Sequence, residues 1–170
     1  MGPPRGRGNT TMRDKIQFGR RTAARDGEVV VLLIGMRVNH LWALHRWLPV
    51  FLAMPAMLRE LVKDRSAGLL HHVLLTGSPR TYYVVQYWES KEKLLDYARA
   101  TGRKHQPWWV RVNRYARDSK GHVGIWHETY VVPAGHHESI YGDMPPFGLG
   151  RAYGTVPLGA GVGARDRLKV

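Results

Sequence analysis

The sequence has no cysteine and lacks the motifs that mark several common enzyme classes. The missing cysteines exclude disulfide frameworks, thiolate nucleophiles and cysteine-ligated zinc sites, and they are consistent with a reducing cytoplasm. No GxGxxG, GxxxxGKS/T, GxSxG or DxDxDG pattern occurs. Nucleotide cofactors, phosphoryl transfer, serine hydrolysis and EF-hand calcium binding therefore have no support in the sequence.

Long hydrophobic runs are also missing. The strongest apolar stretch, WLPVFLAMPAML at 47–58, has twelve residues and is bracketed by Arg46 and Arg59. A bilayer requires about 20 apolar residues, so this stretch predicts a buried helix and not a membrane span. No apolar segment directly follows the basic N-terminus, which argues against a signal peptide. We therefore expect a cytoplasmic protein.

Acidic residues are scarce, and the basic charge is concentrated at the two ends. The net charge is +13, of which residues 1–26 contribute +5 and residues 151–170 contribute +3. No recognition helix or RNA-binding aromatic strand accompanies this charge, so nucleic-acid binding is not expected. We predict a basic flexible extension at 1–26, a folded domain at 27–133, and a Gly/Pro-rich lid or dimer arm with an irregular tail at 134–170.

Between these ends the hydrophobic pattern predicts alternating strands and helices. Pro49 and Pro55 are expected to kink or divide the first helix, and Ser90 is a plausible N-cap for the second. The predicted order is strand 28–38, helix 41–64, strands 69–77 and 81–88, a helix after Ser90 that restarts near Pro107, and strand 122–132.

This order predicts an α+β fold, the ferredoxin-like βαββαβ pattern, with one four-stranded antiparallel sheet and helices on one face. Strand 81–88 carries large side chains at both alternating sets of positions, for example Tyr83 and Tyr87 on one face and Tyr82 and Trp88 on the other. Both faces therefore need cover. We predict a homodimer through the sheet face, as in a dimeric α/β barrel.

Several segments carry a family resemblance over roughly residues 28–150. They are MRVNHLWALHRWLPV, YWESKEKLLDYA, HQPWW, VGIWHETY and YGDMPPFGLG. Together they resemble the antibiotic-biosynthesis-monooxygenase-like group of dimeric α/β-barrel proteins. More specifically, they are similar to a monooxygenase-like family named after a polyene-cleaving oxygenase of fungal fumagillin biosynthesis. The resemblance implies oxygenase chemistry in secondary metabolism, but it transfers no catalytic residue.

The adjacent residues His127 and Glu128 invite the interpretation of a catalytic or metal-binding pair. Neighbouring side chains of a strand point to opposite faces, and the second histidine of HExxH is missing, so no metal site is predicted. His127 shares its face with Ile125, Thr129 and other aliphatic residues. We therefore place it under the helices, as a catalytic residue or a hydrogen-bonded core histidine. Glu128 is expected to face the dimer partner.

His105 is the second catalytic candidate. A neutral imidazole can act as a general base or bind haem as an axial ligand. A histidine in this region also recurs in cofactor-free relatives, so haem does not follow from it. Trp109, beside it in the sequence, is a candidate wall for an aromatic or polyene substrate, with a core position as the alternative.

The remaining candidates are substrate-binding residues. Arg37 and Asn39 follow the first strand, where a pocket mouth is expected, and Arg37 suits a carboxylate or enolate oxygen. A solvated rim charge is the competing interpretation. Of His71 and His72 at most one reaches a cavity, and we select His72. Tyr83 is a candidate wall residue, and Tyr141 belongs to the predicted lid.

These observations predict a monooxygenase-like enzyme that oxidises a hydrophobic secondary metabolite with O₂, without a cofactor, after deprotonation by His105 or His127. Two alternatives remain open. One is a haem enzyme of the same fold, with His105 as axial ligand, that performs oxygenation or an aldoxime-dehydratase-like elimination. The other is a non-catalytic ligand-binding or scaffolding dimer.

Overall fold

The computed structural model describes residues 15–99 and 108–168. The first half contains β1 Gln17–Ala23, β2 Val29–Val38, α1 Leu44–Lys63, a 3₁₀ turn Arg65–Ala67, β3 Leu69–Ser78, β4 Thr81–Trp88 and α2 Lys91–Arg99. The second half contains α3 Trp108–Asp118, β5 Val123–Val132, β6 Tyr141–Met144, α4 Gly148–Tyr153, β7 Thr155–Pro157 and α5 Ala164–Arg167.

The central sheet has four antiparallel strands in the order β3-β4-β2-β5. Helix α1 connects β2 to β3, and the chain passes through α2 and α3 between β4 and β5. This is the strand order and connectivity of the ferredoxin-like fold, which confirms the predicted fold class. Strand β2 lies in the middle because nearly all of its side chains are apolar and both of its faces are covered.

Helix α1 is continuous through Pro49 and Pro55. The sequence predicted that these prolines would kink or divide the helix, and they do not divide it. A proline inside a helix costs about 3 kcal/mol. Against that cost, the helix buries six side chains on the sheet, and each large one contributes roughly 1.5–3 kcal/mol. The buried residues of α1 are Val50, Ala53, Met54, Met57, Leu58 and Leu61. Tertiary packing therefore outweighs the local penalty.

The core lies between the sheet and its helices. One cluster centres on Trp88, which is fully buried between α1 and α2 together with Leu61 and Leu94. A second cluster, including Val38, Val112 and Val123, joins α1 and α3 to the other end of the sheet. The predicted N-cap of α2 is confirmed, since Ser90 Oγ accepts a hydrogen bond from Lys93 N at 3.2 Å.

A second layer covers part of the opposite face of the sheet. Strand β1 pairs with both β6 and β7, and α4 packs against β3 and β4. Tyr153 donates a hydrogen bond to the carbonyl oxygen of Trp88 at 3.2 Å. The sequence predicted irregular structure for this C-terminal region, but it contains β6, α4 and β7. It also predicted a flexible extension for the segment that contains β1, which is a strand. The reason is that β1 finds its partners more than 115 residues away, where no local pattern reveals them.

Among the helices in the part of the chain that the structure describes, none is long and apolar enough to cross a membrane.

Candidate functional site

A cavity of about 320 Å³ lies between the helix-bearing face of the sheet and helix α2. Its volume falls within the usual range for small-molecule sites, and its walls are mainly apolar. The described residues that line it are Leu32, Ile34, Met57, Gln86, Lys91, Leu94, Leu95, Tyr97, Ala98, His127, Thr129 and Val131. The strand residues alternate along β2, β4 and β5, because every second side chain points to this face.

The cavity has a buried base and an open mouth. Ile34, Met57, Gln86 and Leu94 are buried and form its base. The exposed side chains are those of β5 (His127, Thr129 and Val131) and the solvent-facing side of α2 (Lys91, Leu95 and Ala98). The opening of the cavity therefore lies beside β5, and its closed end lies against the sheet.

His127 lies at the mouth of this cavity, on the face that strand alternation predicts for it. It pairs with Ile34 of β2, whose side chain belongs to the core under the helices. Its neighbour Glu128 lies on the opposite face and accepts a hydrogen bond from the Tyr130 hydroxyl at 2.6 Å. The two residues therefore do not serve one pocket, while a catalytic role for His127 stays a prediction.

The base of the cavity holds two buried polar groups that the sequence analysis did not select. Gln86 is 1% exposed, and its Oε1 accepts a hydrogen bond from the indole nitrogen of Trp88 at 3.0 Å. The ring of Tyr97 packs 5.6 Å from the Trp88 ring. Within the described residues, Gln86 Nε2 and the Tyr97 hydroxyl are buried without a hydrogen-bond partner. Such orphaned groups are rare in folded proteins.

The environment of Tyr97 keeps its hydroxyl protonated. Burial raises the pKa of this phenol well above its usual range, and the negative charge of Glu60 raises it further. Tyr97 is therefore a neutral hydrogen-bond donor at any physiological pH.

Three of the predicted binding residues lie away from this cavity. Asn39 donates its side-chain N–H to the Gly121 carbonyl at 2.9 Å, which fixes the turn before β5. Arg37 is exposed on the opposite face, with its Nη1 3.5 Å from Thr81 Oγ1. Tyr83 also lies on that face, where its ring centroid is 6.0 Å from that of Trp126. None of these three lines the cavity beside His127.

The other predicted residues are also dispersed. His72 lies on the helix-bearing face but lines a separate groove between β3 and α1, with Leu58 and Leu74. Burial lowers the pKa of this imidazole. Tyr141 belongs to the second layer, where its hydroxyl accepts a hydrogen bond from Gly150 N at 2.8 Å. His105 and the side chain of Trp109 lie outside the described residues.

A sequence signal for Gln86 existed. It occupies the same alternating set as Val84 and Trp88 in β4, and therefore a core position, where an amide has to find hydrogen-bond partners. Tyr97 had a weaker signal, because a tyrosine on the apolar stripe of α2 is ordinary. Neither position reveals by itself that the two side chains meet in one cavity.

In the part of the chain that the structure describes, no group of three or more His, Cys, Asp or Glu residues is placed to hold a metal ion. The haem alternative depends on His105 and stays a prediction.

Comparisons with known proteins find a similar sequence and a similar solved structure. A curated relative from Aspergillus fumigatus, named Monooxygenase af470, is 29% identical over 140 residues, which cover 74% of this chain and 46% of the relative. The chain thus spans less than half the length of that protein. The solved structure of SnoaB, described as a cofactor-independent oxygenase from Streptomyces nogalater, is 17% identical, with a TM-score of 0.39. The match covers 61% of this chain and 91% of SnoaB. The fold of this chain is assigned from its strand order, β3-β4-β2-β5.

A family model that matches more than half of the chain shows the family. The family model described as Monooxygenase af470-like matches residues 29–149, which include the whole four-stranded sheet, the cavity and the start of the second layer. The resemblance that the sequence segments carried is thereby confirmed. The chain belongs to the monooxygenase af470-like family.

Proposed function

We propose that this protein is a monooxygenase-type enzyme that oxidises a hydrophobic small molecule with O₂ in the cavity beside His127. The single observation that carries the proposal is an apolar cavity with one imidazole at its mouth. Membership of a monooxygenase-like family and the name of the curated relative support the type of reaction.

The proposed role of His127 is that of a general base. The neutral form of an imidazole can accept a proton from a substrate. Removal of a C–H or O–H proton leaves a carbanion or phenolate that can reduce O₂ directly. In the overall reaction a CH₂ group and O₂ yield a carbonyl group and water, and the substrate supplies all four electrons. No external reductant is needed for this balance.

The apolar walls have a second role in this scheme. Buried side chains such as Ile34, Met57 and Leu94 keep water from the anionic intermediate, which would otherwise be reprotonated before O₂ reacts. The open mouth along β5 gives O₂ and substrate the same route of entry.

Oxygen uptake tests the proposal. We suggest a panel of hydrophobic compounds with an activated CH₂ group, headed by β-tetralone, with the uncatalysed rate subtracted. His127→Ala is expected to lower the turnover number by about 10²–10⁴, the usual contribution of a general base. His136→Ala, in the exposed turn after β5, is the matched control and should turn over like the unchanged protein. Equal rates in the two variants would remove His127 from the mechanism.

We also propose that the chain forms a homodimer through the part of the sheet face that α4 leaves uncovered. Trp126 and Tyr130 lie there, and 48% of Tyr130 is exposed. Light scattering should then give twice the chain mass of 19.4 kDa, and Tyr130→Asp should shift the protein towards the monomer. A monomeric mass for the unchanged protein at micromolar concentration would contradict this.

A further inference from the structure

We infer that Gln86 and Tyr97 form a pair of hydrogen-bond donors that binds an oxygen atom of the ligand at the buried base of the cavity. The inference deepens the proposed function, on which it rests, by naming the substrate class: an elongated hydrophobic molecule with a carbonyl or phenolic oxygen at one end. Nothing in the sequence motifs or the family match assigns a role to either residue.

The orientation of the Gln86 amide is fixed by Trp88. An indole nitrogen can only donate a hydrogen bond, so the atom of Gln86 that lies 3.0 Å from Trp88 Nε1 is the oxygen. The NH₂ end of the amide therefore points away from Trp88. Gln86 lines the cavity, and Nε2 has no partner among the described residues. A donor without a partner is therefore buried next to the base of the cavity.

Tyr97 supplies a second buried donor beside the same cavity. Its ring packs on Trp88, the same side chain that holds Gln86, and it lines the same cavity. Its hydroxyl is buried and likewise has no partner among the described residues. Because burial and Glu60 raise the pKa of this phenol, the group keeps its proton and offers it to an acceptor.

The energetics favour a ligand as the missing partner. A buried donor without an acceptor destabilises the fold more than an apolar side chain of the same shape would. Phenylalanine would fill position 97 without an orphaned donor. At position 86 the indole N–H of Trp88 requires an acceptor, but nothing in the fold requires the amide NH₂ group. A ligand oxygen between the two donors restores both hydrogen bonds, and in a water-poor base each is stronger than in solvent.

The sheet register gives the length of the ligand. Gln86 lies opposite Leu32, and Leu32 lies opposite Thr129 at the mouth. Two strand spacings separate Gln86 from Thr129, which is roughly 10 Å. An oxygen held at the base therefore places the other end of such a molecule at β5, next to His127.

A pair of probes tests this inference by binding alone. Benzylacetone carries a ketone, and butylbenzene has a similar shape without oxygen. Calorimetry measures both affinities, and infrared difference spectra record the carbonyl stretch of the bound ketone. In the unchanged protein this band should lie at lower frequency than in hexane. Tyr97→Phe and Gln86→Met should each move the carbonyl band towards its frequency in hexane. Each should also lower the affinity for benzylacetone about tenfold, which corresponds to the loss of one neutral hydrogen bond. Affinity for butylbenzene should not change.

Two control variants exclude a general effect on the cavity or the fold. Thr129→Val removes a hydroxyl from the mouth of the same cavity and should leave the carbonyl band in place. Tyr82→Phe removes a tyrosine hydroxyl that donates to the Pro79 carbonyl, away from the cavity. The melting temperature of Tyr97→Phe should be equal to or above that of the unchanged protein, because an orphaned donor is lost.

The outcomes separate this inference from the proposed function. A carbonyl band at the same frequency in the unchanged protein, Tyr97→Phe and Gln86→Met would overturn the inference, even if oxygen uptake depends on His127. Failure of the unchanged protein to bind either probe would overturn it as well. A shifted band that both variants restore would support it, even if no oxygen uptake is found.

Discussion

The two faces of the four-stranded sheet are packed in different ways. The face under the helices contains the cavity of about 320 Å³, with His127 at its mouth. On the opposite face, side chains lie directly against backbone. A Cβ atom on Gly35 would lie 2.7 Å from Tyr83 Cβ, and one on Gly148 would lie 2.9 Å from the Tyr87 hydroxyl. One face therefore has room for another molecule, and the other has none at these points.

The two faces of the sheet therefore have different roles. Close packing on the Gly35 face fixes the strands, and the second layer holds α4 against Tyr87. A fixed sheet in turn sets the direction of Gln86 and His127 on the opposite face, as precise ligand binding requires. Substitutions on the two faces should therefore change the free energy of unfolding by different amounts.

Gly35→Ala should cause the largest loss of stability. The added methyl group would meet Tyr83 and the indole of Trp126 at distances that real Cβ contacts essentially never show. Overpacking of this kind costs roughly 1–3 kcal/mol, and we expect the upper part of this range because the conflict is with backbone-proximal atoms. Urea unfolding measures the change.

Gly124→Ala is the matched control for that substitution. Gly124 also lies in a strand of the sheet, but a Cβ atom there would have only Asn39 Nδ2 nearby, at 3.9 Å. Its free energy of unfolding should change by less than about 0.5 kcal/mol. Similar losses for the two alanine variants would show that the close contact at Gly35 is not what makes this face sensitive.

Glu138→Gln should have the next largest effect. Glu138 Oε2 accepts hydrogen bonds from Arg167 Nη2 at 2.7 Å and from Nε at 3.0 Å, which joins the segment after β5 to α5. The pair is only partly exposed, so we expect a loss of about 0.5–1 kcal/mol, and less at high salt. Loss of stability that does not depend on salt would indicate a packing effect instead of an ionic one.

The sequence predicted the helix-bearing face better than the opposite face. Alternation along β5 placed His127 under the helices, and the β-branched run of β2 predicted the central strand. These are local patterns with a period of two residues, and they can be read from one segment. The pairing of β1 with β6 and β7 is not local, so the sequence did not predict the second layer.

The candidate site was predicted only in part, for a related reason. Arg37 and Asn39 were chosen because they follow a strand, but that end of the sheet is closed by the contact between Asn39 and Gly121. Tyr83 was chosen for its ring, and its alternation places it on the closely packed face. Gln86 and Tyr97 become notable only when the structure shows that both donors are buried without partners among the described residues.

His72 should make stability depend on pH. Burial lowers the pKa of its imidazole, so the neutral form is favoured in the folded state. Arg59 and Lys63 line the same groove. The unfolded chain takes up the proton first as pH falls through 6.5, its ordinary value. Stability should therefore decline below about pH 6.5, and this decline should be shallower in His72→Gln.

Leu32→Phe should have only a small effect on stability although it adds three heavy atoms. Leu32 lines the cavity, so the larger ring has space to occupy and need not displace the strands. We expect a change below about 1 kcal/mol, less than that of the single carbon added by Gly35→Ala. The same substitution blocks the path between Gln86 and β5, so affinity for benzylacetone should fall at least tenfold, by about 1.4 kcal/mol or more. A variant that is strongly destabilised, or one that binds the ketone normally, would show that this face is not open in solution.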